Sequence, residues 1–143
     1  MPINSTQNFD GLFTMDVPIG QHYNNDGWCW ASGGLGCAKE YWEENAGCEI
    51  DNNEMVVYYY DNSVLVDGES NTVQHALKTL NTSYMYHINQ NDGNFFVLTN
   101  DIGMRNIPPY LVGVANDDGS EVVFVGGHNL NDLIKHANSV EFI

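Results

Sequence analysis

The sequence predicts an α+β fold, a helical half followed by an antiparallel sheet, from three observations. "NTVQHALKTL", opening at Asn71, puts Val73, Ala76, Leu77 and Leu80 on one helical face. From Ser83 onward the chain changes character: "SYMYHI" (Ser83 to Ile88), "PYLVGV" (Pro109 to Val114), "EVVFVGG" (Glu121 to Gly127) and "SVEFI" (Ser139 to Ile143) are rich in β-branched and aromatic residues. "ANDDGS", between two of these runs, is a hairpin turn signal. A chain of 143 residues fits one domain. The expected layout is a helical half at about 20–82 packed on a sheet half at about 83–143.

The earlier elements follow in order. After an extended lead-in, "LFTMDVPI" (Leu12 to Ile19) alternates weakly and reads as a short strand or edge segment ended by Pro18 and Gly20. Asp26 caps a helix expected from about Trp28 to Glu44, with Trp30, Leu35, Ala38 and Trp42 toward the core. Gly33, Gly34 and Gly36 each weaken that helix by about 1 kcal/mol relative to Ala, which implies close packing of another backbone. In "DNNEMVVYYYDN", Asp51 followed by Glu54 is a capping-box variant that predicts a short helix, with Tyr58 to Tyr60 at its core and rim. No internal repeat, low-complexity block or linker interrupts the chain.

Composition narrows the function. A hydrophobic share of 43% and an aromatic share of 12% belong to a globular protein. No apolar run approaches the ~20 residues of a membrane-spanning helix, and "MPINSTQNFDGLF" has neither the basic nor the apolar region of a secretory signal. Cytoplasmic and exported locations both remain open. Four Lys plus Arg stand against nineteen Asp plus Glu, a net charge of −15. That balance repels nucleic acid and anionic membranes and steers in a cationic peptide or protein, besides serving solubility. Of the three cysteines, Cys37 and Cys48 are the better pair if any two are joined. Zinc spacing is absent, and neither "NDDGSE" nor "DNNE" has the calcium-loop register, so no metal or cofactor is expected.

The stretch "GQHYNNDGWCWASGGLGCAKEYW" (Gly20 to Trp42) carries the chemistry. Cys29 reads as a small buried hydrophobe, a disulfide half or a nucleophile. A nucleophilic thiol needs a lowered pKa, an imidazole within reach and donors for a developing oxyanion. Cys29 falls in the first turn of the expected helix, and Gln21 is a carboxamide donor on the incoming loop.

The run Gln21–Ser32, with Trp28-Cys29-Trp30-Ala31-Ser32 at its end, resembles the nucleophile region of papain-like cysteine peptidases. It is similar above all to the small bacterial branch that includes plant-pathogen avirulence proteases, and more distantly to double-glycine leader peptidase domains. The segment from Arg105 through Pro109 to Gly126-Gly127-His128 is similar to the family's last third. The resemblance implies a papain-like fold and a thiol peptidase acting on a peptide or protein. Cys29 would be the nucleophile, with Gln21 and the Cys29 amide in the oxyanion hole and Trp28 and Trp30 beside the cleft. It implies a base in the C-terminal half, where His128 and His136 both qualify, His136 at the head of the last strand. Asp132, Asn138, Asn129 and Asn131 are candidates to orient it. Two other readings stay open: a non-catalytic binding module on the same fold, and a chain whose site a partner completes.

Overall fold

The computed structural model describes residues 4–9, 11–18, 56–103 and 108–143. The elements are β1 (Asn4–Phe9), β2 (Phe13–Pro18), β3 (Val56–Tyr60), α1 (Thr72–Tyr84), β4 (His87–Asn91), β5 (Phe95–Thr99), β6 (Tyr110–Ala115), β7 (Val122–Gly127), α2 (Leu130–Asn138) and β8 (Glu141–Phe142). They form an α+β arrangement with two antiparallel sheets, one ordered β3-β7-β6-β5-β4 and a smaller one ordered β1-β2-β8. The helix expected at Trp28–Glu44 lies outside the described residues.

Helix α1 forms where the sequence predicts it. The Asn71 side chain accepts the Gln74 amide at 2.9 Å, capping the first turn, and Val73, Ala76, Leu77 and Leu80 are all buried. The helix runs to Tyr84, two residues into the segment read as the first strand, and ends at Met85 in the left-handed conformation (φ 59°). There the Tyr86 amide returns to the Leu80 carbonyl at 3.0 Å.

Two expected elements are corrected. The described part of the Asp51 segment is a strand, β3, not a helix, and all five of its residues are buried. Its Tyr58 and Tyr60 lie on one face and Tyr59 on the other, so a continuous apolar run suits a strand covered on both sides. The chain from Asn129 to Asn138 forms α2 where no helix was expected. His136 therefore sits within a helix rather than heading a strand. Helices and strands are interleaved: β3 falls in the expected helical half and α2 in the expected sheet half.

The large sheet is two-sided. Register and alternation put Tyr58, Tyr60, Phe124, Phe96, Leu98 and Leu111 on the face toward α1. The opposite face carries Tyr59, Val123, Val125 and Val112 and meets α2 and the small sheet. Phe9 stacks on Phe13 at 4.8 Å and Phe13 on Tyr59 at 5.8 Å, joining the small sheet to the large one. Each such pair contributes roughly 0.5–1.5 kcal/mol beyond buried area. The expected β6–β7 hairpin is present. Asn116 and Glu121 exchange backbone and side-chain bonds across it, and Gly119 (φ +74°) makes the turn.

At Gly113 a Cβ would lie 2.5 Å from the buried Phe124 ring. Gly113→Ala should therefore lower stability by about 1–3 kcal/mol in urea unfolding, since the ring has no space into which to retreat.

Burial raises the pKa of Tyr86, whose hydroxyl donates to the Pro108 carbonyl at 2.6 Å, and neighbouring Tyr60 adds to the rise. Burial also raises Tyr59, with its hydrogen bond to Glu121 as the next cause. Groups raised in this way contribute stability that is fully present below the unfolded tyrosine pKa of about 10 and is lost as pH rises above it. The urea midpoint should fall from about pH 10 upward, and Tyr86→Phe should flatten that fall without changing the acid arm.

Candidate functional site

Cys29, Gln21, Trp28 and Trp30 lie outside the described residues, so the structure places only the C-terminal part of the expected site. Strand β7 is buried along its whole length and delivers the chain to His128, which is exposed. Gly126 makes a tight passage just before it: a Cβ there would lie 2.6 Å from Leu111 and 2.8 Å from Pro108. That close approach is to the neighbouring strand and the Pro108 segment.

Asn129 follows His128 and caps α2, its side chain accepting the Asp132 amide at 3.2 Å. Asp132 occupies the first turn, where the exposed amides of a helix start favour a carboxylate. His128 and Asp132 thus share one strand-to-helix corner, four residues apart, and both are exposed. Asn131 and Asn138 are exposed on the same helix, Asn138 at its far end. The signal for α2 was present in the sequence. Asn129 is a good cap, and Leu130, Leu133, Ile134 and Ala137 recur at helical spacing.

His136 is placed differently. It is buried, and its Nδ1 lies 2.7 Å from the carbonyl of Asp16 on β2. A carbonyl only accepts, so Nδ1 carries the proton and donates. Ser139 Oγ accepts the Asp16 amide at 2.9 Å and donates to the His136 carbonyl at 2.6 Å. Strand β8 pairs with β2 only at Phe13 and Thr14. The His136–Ser139 pair takes up both backbone groups of Asp16 beyond that point, continuing the edge of β2 with side chains.

Two open grooves lie at opposite ends of β4. One, of about 580 Å³, lies between the start of α1 and the β4–β5 and β6–β7 turns, with Asp92, Asp117 and Asp118 on its walls. The Ser120 hydroxyl and amide hold the Asp118 carboxyl below the ordinary range, so it stays ionised near neutrality. The second, of about 330 Å³, is bounded by Asn81, Met85, Tyr86, His87, Asp101 and Ile102. Sequence reading took "NDDGSE" only as a hairpin turn without the calcium-loop register. The groove arises because two turns distant in sequence meet beside α1. Among the described residues no group of three His, Cys, Asp or Glu is arranged to hold a metal, and no helix is long and apolar enough to cross a membrane.

The joint at His136 is directly measurable. His136→Ala should lower stability by about 1–3 kcal/mol in urea unfolding, because the Asp16 carbonyl loses its donor in a part-buried setting. His136→Asn, which keeps a donor near the Nδ1 position, should recover much of the loss.

No protein-family model, no curated protein and no solved structure matches this chain.

Proposed function

We propose that the protein is a thiol peptidase with a papain-like arrangement, in which Cys29 is the nucleophile and His128 the base. The reading rests on the Gln21 to Ser32 run, and the placement of the two histidines supports its choice of base. His136 is buried with its Nδ1 committed to a backbone carbonyl, which suits a structural joint. His128 is exposed at the end of a rigid strand, which suits a group that must meet both a thiol and a substrate. Asp132, in the adjacent first turn, is the candidate to orient it.

In this mechanism the Cys29 thiolate attacks the peptide carbonyl while His128 holds the proton taken from the thiol. Gln21 and the Cys29 amide stabilise the tetrahedral oxyanion. The imidazolium then gives its proton to the departing amine, leaving an acyl-thioester. Water attacks that ester, His128 accepts its proton and returns it to the sulfur, and the acid is released.

Hydrolysis of a fluorogenic peptide library tests the proposal. Cys29→Ser and His128→Ala should each lower turnover by about 100-fold or more. His136→Asn should change it by no more than a few-fold once the folded fraction is matched. A His128→Ala variant as active as the parent would remove this base. Full activity in Cys29→Ser would remove the peptidase reading, and a parent inert toward every peptide would favour the binding module. The net charge of −15 and the three carboxylates on the larger groove suit such a module for a basic partner.

A further inference from the structure

Strand β4 is the outer edge of the large sheet, and every one of its residues is exposed. Among the described residues its only strand partner is β5, and its other edge carries no strand. Edge strands of this kind are templates for an added strand. Five residues span about 17 Å, and the ends of that span differ in chemistry. At the start of β4 lies the smaller groove, with Met85 and Ile102 on its wall. At its end lies the larger groove, with Asn91 and Asp92 joined by Asp117 and Asp118.

The apolar end is unusual for a protein surface. The described residues include five large apolar side chains that are well exposed. Three of them, Met85 (58%), Ile88 (42%) and Ile102 (39%), gather here. Register puts Ile88 opposite Leu98, on the side of the sheet that α1 covers. Met85 also occupies a left-handed position where glycine or asparagine is favoured and other side chains are strained. Stability alone would place glycine at the end of α1. The methionine instead presents a flexible apolar side chain to the groove.

We propose that β4 is a docking edge for an extended partner segment that adds as an antiparallel strand, with basic residues at its start and apolar residues toward its end. In the antiparallel sense the segment begins beside Asn91 and Asp92 and finishes beside Met85 and Ile102. Its leading lysines or arginines then face three carboxylates. Among the described residues, no Lys or Arg lines either groove to compete with them. The register shift between Ile88 and Gln90 disturbs the edge and limits indiscriminate pairing, so the two ends select the partner. A second copy of this chain is disfavoured as occupant, because like carboxylates and a net charge of −15 would be brought together. No residue of this surface takes part in the peptidase reading, and the proposal stands independently of it.

The test uses the whole protein and a fluorescein-labelled peptide of two lysines followed by alternating threonine and isoleucine. Anisotropy should show saturable binding that weakens with salt, and amide NMR shifts should centre on residues 87–91. Replacing the lysines by glutamates should weaken binding by about tenfold or more, as should N-methylating alternate peptide amides. Met85→Gly should leave the protein as stable or more so while weakening binding several-fold, and Asp117→Asn with Asp118→Asn should flatten the salt dependence. Equal affinity of the N-methylated peptide, shifts centred elsewhere, no saturable binding, or a concentration-dependent dimer formed through β4 would each overturn the proposal.

Discussion

The large sheet is apolar on both faces, and that constraint organises everything else described. A sheet with Tyr58, Tyr60, Phe96 and Phe124 on one side and Tyr59, Val123 and Val125 on the other must be covered twice. Helix α1 covers the first side. The second needs more area than the nine residues of α2 supply, and the small sheet completes it through the Phe9–Phe13–Tyr59 stack. The early strands β1 and β2 are thereby bound to the last segment of the chain. The His136–Asp16–Ser139 joint is the polar counterpart of that stack. It satisfies an edge that β8 is too short to reach.

The same constraint shapes the two proposed sites. A strand buried along its length is a firm support, and β7 brings His128 to solvent at its end with little freedom in the backbone behind it. Gly126, pressed between Leu111 and Pro108, shows how tightly that approach is made. At the far side the covering runs out. Helix α1 ends at Met85, β4 is left as an exposed edge, and the turns on either side of α1 form the grooves. Rigid support at one site and an open edge at the other arise from one packing scheme.

Much of this was legible from local signals. The Asn71 cap and the periodicity after it mark α1, and "ANDDGS" marks the hairpin whose turn glycine and Asn116–Glu121 bonds are present. Strand β3 was misread because "DNNE" looks like a capping box and "VVYYY" lacks alternation. The missing alternation reflects burial on both faces, which sequence period alone does not separate from a helix. Strand β5, "FFVLT", has the same continuous apolar character. Helix α2 was missed although its cap and spacing were visible, because His136 was read as the head of the last strand. Within the site, His128 and Asp132 were named as candidates, but the strand-to-helix corner that carries them was not anticipated, because the helix itself was missed. The partner of His136 could not be anticipated, since Asp16 lies 120 residues away in sequence.

The central functional claim is that His128 and Cys29 form one reactive pair. The rate of alkylation of Cys29 against pH, followed by mass spectrometry so that Cys37 and Cys48 are counted apart, tests it most directly in the parent and in His128→Ala. A thiolate–imidazolium pair predicts that the parent reacts well below the ordinary thiol pKa of about 8.5 and that the variant moves up toward it. An ordinary profile near 8.5 in both proteins would contradict the account.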